Sequence, residues 1–222
     1  MKVLAVGLAR VIWIFDIRFL NPRGLSFQEV FRKLGERYRF AKSPQNQLDF
    51  NEQKAWAFES GTFANSQKKF LNITFSIYND GLVADTLSST DDSTEFLMEV
   101  TSWAVKEFGF SIPPREKLKK GYLSQIDVES DLSLISLNTK LAKFVRIIES
   151  RVKTVDGKRR QFEMGSLNFW TEDVQTPMAP AAFRFERKHG VPFASNQYFS
   201  QAALETDEHI KLIQELEKLL KS

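Results

Sequence analysis

The sequence predicts an α+β protein of two pseudo-repeated β-α-β-β-β-α halves, with largely antiparallel sheets packed by long helices. Three observations carry this expectation. Stretches in which apolar residues recur every second position alternate with stretches at helical spacing. The same order of elements recurs on either side of Ser111-Ile112-Pro113-Pro114. The helix-cap candidates Ser26 and Asn138, like Trp56 and Trp170, stand roughly 110 residues apart, a weak long-period repeat.

The first strand is read from Arg10 onward, with Val11, Trp13, Phe15, Ile17 and Phe19 on one face. Bulk on both faces makes it a central strand. After a turn, Ser26 with Glu29 three residues later signals a helix start, and Val30, Phe31, Leu34 and Tyr38 form the stripe to be buried. Strands follow over Lys54–Ala64 and Phe70–Tyr78, the second with Leu71, Ile73, Phe75 and Ile77 inward. Asn79-Asp80-Gly81 reads as a type I′ hairpin, because Asp-Gly suits its positive-φ positions. A strand over Leu82–Ser88 and a helix capped by Asp92 and closed at Gly109 complete the first half.

In the second half a strand over Tyr122–Leu134 sets Ile126, Val128, Leu132 and Leu134 against Gln125, Asp127, Glu129 and Asp131. Asn138 caps a helix whose core stripe is Leu141, Phe144, Val145, Ile148 and Val152. A strand region at Phe162–Thr171 precedes a hairpin of Ala182–Arg187 and Pro192–Ser200, turned at His189-Gly190. Thr206 caps the last helix, whose inner face is Ile210, Ile213, Leu216 and Leu220. The expected halves are residues 1–110 and 111–222, as two units or one continuous domain. This order is similar to the pseudo-twofold repeat of TATA-binding-like folds. It also resembles a helix-grip domain, which begins with a strand and ends with a long helix over a curved sheet. Both resemblances are of topology and imply a fold alone.

Composition narrows the chemistry. The chain has 222 residues, 42% hydrophobic and 27% charged, so a packed core is expected without staples. It has no cysteine, which excludes disulfides, thiolate nucleophiles and Cys-type metal sites and suits a reducing, cytoplasmic compartment. Arg10 interrupts the apolar N-terminal run, so neither an export signal nor a membrane span is expected there. There is no Gly-rich phosphate loop of either common type and no GxSxG elbow. No cofactor and no metal site are expected.

What remains is a surface for a macromolecule. The leading expectation is a non-catalytic binding or assembly protein, a subunit of a protein complex. Its contact residues would be Gln125, Asp127 and Glu129 on a polar strand face and Arg184, Arg187 and Lys188 on a basic hairpin. The first alternative is nucleic-acid binding. The net charge is +3, and cations cluster at Arg32–Arg39, Lys117–Lys120, Lys158–Arg160 and Arg184–Lys188. A further alternative is a pocket for an apolar ligand beneath the 20 phenylalanines. The last is a metal-dependent nuclease, in which Asp173 and Glu186 hold Mg²⁺ and Lys188 positions water. The row Asp127, Glu129, Asp131 projects to one side of its strand as metal ligands would, but without a further converging ligand it reads as a solvated strand face.

Overall fold

The structure is a computed structural model; it describes every residue except 22–23, 25, 46–54, 115–116, 153–156, 158–159, 173–178 and 222. Its elements, in chain order, are β1 (Lys2–Ile14), α1 (Phe27–Tyr38), β2 (Trp56–Ala64), β3 (Phe70–Tyr78), β4 (Gly81–Thr86) and α2 (Thr90–Phe108), then β5 (Lys119–Glu129), α3 (Thr139–Arg151), β6 (Ser166–Phe169), β7 (Phe183–Arg187), β8 (Gln197–Ala202) and α4 (Thr206–Lys221). The protein is therefore α+β, with the β-α-β-β-β-α order present twice. The chain divides into a larger unit, Val6–Ser124 with Leu204–Thr206, and a second unit, Met1–Ala5, Gln125–Ala203 and Asp207–Ser222.

In the larger unit the strand order is β2-β3-β4-β1-β5. β2, β3, β4 and β1 pair antiparallel. Leu71, Ile73, Phe75 and Ile77 are buried as their alternation requires. α1 buries Val30, Phe31, Leu34 and Tyr38 against this face, where the Phe31 ring stands 5.3 Å from those of Trp56 and Phe58. α2 adds Phe96, edge-on to Phe63 and Phe75. Fully burying a side chain of this size contributes roughly 1.5–3 kcal/mol, so each ring of this aromatic layer adds substantially to the unit's stability.

Several local expectations are corrected. β1 begins at Lys2 and ends at Ile14, and Ile17–Phe19 is a short 3-10 turn held by Asp16, whose carboxylate accepts from the Arg18 N–H at 3.0 Å. The β3–β4 hairpin turns on Asn79-Asp80, one residue earlier than read. Neither of those residues has positive φ, and Gly81 is already paired with Tyr78 and Ile14. Glycine is required there by crowding, since a Cβ would lie 2.0 Å from the Trp13 carbonyl oxygen. α2 is capped by Ser89, whose hydroxyl accepts from the Asp92 N–H at 3.1 Å, so Asp92 falls in the first turn. It closes at Gly109, as expected. The first residues of α2 and α4 cap each other: Thr90 N–H donates to Thr206 Oγ1 and Thr206 N–H to Thr90 Oγ1, each at 3.0 Å.

In the second unit the strand order is β1-β5-β8-β7-β6, with β6, β7 and β8 antiparallel. Its core joins Ile126 and Val128 of β5, Phe185 of β7 and Tyr198 of β8 to Leu134 and Ile213. The rings of Phe185 and Tyr198 stack at 4.6 Å. β5 stops at Glu129, five residues short of its expected end. The Ser130 and Ser133 hydroxyls there accept from the backbone N–H groups of Leu132 and Ile135, and a 3-10 turn at Leu134–Leu137 follows. β8 starts at Gln197 because Phe193–Ser195 after Pro192 forms a 3-10 turn, ended by Asn196 at φ 45°. β6 is shorter than the expected strand region. α3 is capped by Asn138 as expected, but none of its described side chains is fully buried, and Leu141, Phe144 and Val152 of the expected core stripe are exposed.

Candidate protein-binding face

Strand alternation sorts the second unit's sheet into two faces. Ile126, Val128, Phe185, Tyr198 and Ser200 point into the core beneath α4. Their neighbours along each strand, Gln125, Asp127 and Glu129, Arg184 and Glu186, and Phe199 and Gln201, occupy the opposite face. β7 and β8 pair in a register that sets Arg184 opposite Gln201 and Glu186 opposite Phe199.

The side chains on that face are tied into a shallow network. Gln125 Nε2 donates to Gln201 Oε1 at 3.0 Å, joining β5 to β8. Lys188, next after β7, pairs with Asp127 on β5. Arg184 lies over the Trp170 ring, 5.7 Å from its centroid, and Trp170 is 66% exposed. The outcome is an exposed aromatic ring, half-exposed amides and charges of both signs. Arg184 and Lys188 stand against Asp127, Glu129 and Glu186, so the face carries no excess of positive charge.

Five of the six contact residues expected from the sequence thus share one face: Gln125, Asp127, Glu129, Arg184 and Lys188. Arg187 does not. It points to the core side, its side chain 8% exposed. There its guanidinium donates to Glu163, to Ser133 Oγ at 3.0 Å and to the Phe193 carbonyl at 3.0 Å, and it lies over the Tyr198 ring. Gln201, Phe199 and Trp170 were not among the expected contacts. Gln201 and Phe199 alternate with Tyr198, Ser200 and Ala202, a signal blurred by small and polar residues at core positions.

Of the nuclease arrangement, Glu186 and Lys188 lie on this face, and Asp173 lies outside the described residues. Among the described residues no three acidic or histidine side chains converge on a metal position. Asp131 is not in line with Asp127 and Glu129, since β5 has ended; it lies 3.6 Å from the Lys221 ammonium. Ser200 Oγ and His209 Nε2 are 2.8 Å apart, but both residues are fully buried. Burial lowers the His209 pKa to about 4.

Of the basic clusters, the one on α1 is largely paired with carboxylates. On α1, Arg32 pairs with Glu36, Lys33 with Glu107 and Arg37 with Glu99. Lys117, Lys119 and Lys120 are exposed, while Lys158 and Arg159 lie outside the described residues. The larger unit also holds a cleft of about 730 Å³, lined by Phe27, Phe31, Trp56, Ile77 and Phe110 together with the polar Arg18 and Asn79.

No family model matches the sequence, and no curated protein matches it. Among solved structures, the Methanococcus jannaschii TBP is similar, with a TM-score of 0.47 and 10% identity over 99% of this chain and 97% of that one. A likeness of that degree assigns neither partner nor residue. No helix among the described residues is long and apolar enough to cross a membrane.

Proposed function

We propose that this protein is a non-catalytic subunit of a protein complex, binding a protein partner through the sheet face of β5, β8 and β7 opposite α4. The observation that supports this most is the Gln125–Gln201 and Asp127–Lys188 network beside the exposed Trp170–Arg184 pair. Aromatic and arginine side chains on a mixed-charge surface are recurrent anchors of protein interfaces. A phosphate-tracking surface would need unpaired cations in excess, and this face balances them. The absence of cysteine keeps the cytoplasm as the expected compartment.

Affinity capture at low salt tests the reading, with protein, nucleic acid and lipid analysed in the same eluate. Wild type should retain one protein in stoichiometric amount, and the Gln125→Arg/Arg184→Glu/Gln201→Arg variant should lose it. Recovery of nucleic acid instead, released as salt rises, would replace this reading with the nucleic-acid one.

The cleft in the larger unit supports a second reading, a site for an apolar ligand with an aromatic portion. Its test is mass spectrometry of molecules carried through purification, with restored ligand raising Tm. Purified protein that carries none and gains no stability from a panel of aromatic acids and lipids would exclude it.

A further inference from the structure

α3 departs from the rule that an amphipathic helix turns its apolar stripe toward the core. Leu141, Phe144 and Ile147 are 39%, 57% and 44% exposed. Every basic residue of the helix, Lys140, Lys143, Arg146 and Arg151, is exposed as well, and none has an ion-pair partner among the described residues. Its one carboxylate, Glu149, is half-buried and accepts from the Phe162 N–H at 2.9 Å. The outward surface is therefore apolar and cationic, with no negative charge of its own.

The spacing defines what fits. Lys140, Phe144, Ile147 and Arg151 fall at i, i+4, i+7 and i+11, one stripe along the helix about 16 Å long. The stripe reads cation, apolar, apolar, cation, with Lys143 and Arg146 beside it. A lipid-inserting helix separates its charges from its apolar face. Here Lys140 and Arg151 share a stripe with Phe144 and Ile147, so insertion would carry both charges toward the acyl region. The complement is a surface with carboxylates at both ends of an apolar step.

We propose that the outward surface of α3 docks an acidic amphipathic helix of a protein partner. Apolar contact would supply affinity, and the cations would select against basic or neutral helices and accelerate encounter. The proposal stands independently of the sheet face of β5, β7 and β8, which lies on other elements.

The test is selection from a displayed library of helical peptides on the full chain at low salt. The enriched sequences are expected to carry Asp or Glu flanking Leu or Phe at the i, i+4, i+7, i+11 spacing. Synthetic copies should bind wild type at least about 10-fold more tightly than Phe144→Ser or Lys143→Glu/Arg146→Glu, a difference of about 1.4 kcal/mol. The sheet-face variant Gln125→Arg should bind them as wild type does. All four substituted positions are exposed or half-exposed, and equal Tm values confirm that the variants fold. Failure to enrich acidic helices would overturn the proposal, as would peptides indifferent to both α3 variants. Co-sedimentation with phosphatidylserine vesicles that the charge-reversal variant abolishes would replace it with a lipid surface.

Discussion

Lys188 reaches across β8 to pair with Asp127 on β5, bridging two strands that are not neighbours in the sheet. The backbone supports the reach, because the Lys188 N–H donates to the Gln197 carbonyl at 2.9 Å and so fixes where the side chain starts. Both partners keep partial contact with solvent, so the pair stabilises the fold by about 1 kcal/mol at most. Its larger effect is on the surface, where it holds an ammonium and a carboxylate at set positions.

Separating and restoring that pair tests its role. Lys188→Glu and Asp127→Lys should each lower stability by about 1 kcal/mol or less in urea unfolding. Each should weaken capture of the protein partner by more than that figure, about 10-fold or beyond. The double swap should recover stability while leaving the partner weakly bound, since the charges would then be transposed.

Arg184 and Arg187, three residues apart, should respond in opposite ways. Arg187→Ala leaves Glu163 half-buried without its guanidinium and should cost about 3 kcal/mol of stability. Arg184→Ala removes a stacked, half-exposed side chain and should change stability by under about 1 kcal/mol. Its effect should appear in partner affinity. Chemical denaturation beside capture assays separates the two.

His209 predicts a pH dependence of defined sign. Its Nε2 meets Ser200 Oγ, its ring lies edge-on to Phe183, and its Nδ1 has no partner among the described residues. Burial lowers its pKa to about 4 from the usual 6.5. Above pH 6.5 the ring is neutral in both folded and unfolded chains, and the stabilisation is fully present. As pH falls through 6.5 the unfolded chain takes up the proton first, and stability is lost progressively down to about pH 4. Between pH 7 and 5 wild type should lose about 2 kcal/mol more than His209→Gln, read as a shift in urea midpoint at constant m.

The reciprocal Thr90–Thr206 cap makes a prediction about additivity. Each hydroxyl satisfies the other residue's N–H, so Thr90→Val and Thr206→Val should each cost about 1–2 kcal/mol. The double variant, probed by thermal or urea unfolding, should cost less or more than the sum, because the two residues share one hydrogen-bonded ring.

The parts of this fold legible in sequence are those where one periodic face meets a core. The buried stripes of α1 and β3 are read correctly because Val30, Phe31, Leu34 and Tyr38, and Leu71 through Ile77, repeat without interruption, although Ser26 stands at the start of α1 without a side-chain capping bond. α3 shows the limit of that signal: amphipathy tells which side of a helix is apolar, and it does not tell whether anything covers it. β5 ends early because Ser130 and Ser133 bond the backbone locally, a competition that the alternating apolar residues conceal. The orientation of Arg187 was legible. It follows Phe185 by two residues on one strand, and alternation sends both to the core side. Reading Arg184, Arg187 and Lys188 as one basic cluster set that alternation aside. Gln201 was hidden for the opposite reason, since Ser200 and Ala202 are weakly apolar markers of a buried face.

The most direct test of the proposed role is the binding isotherm of the captured partner with purified wild type and with the Gln125→Arg/Arg184→Glu/Gln201→Arg variant, at matched Tm. Wild type should give a single-site isotherm and the variant a loss of about 100-fold or more, roughly 2.7 kcal/mol. Equal affinity for the two proteins would contradict it and move the binding surface away from the sheet face of β5, β8 and β7.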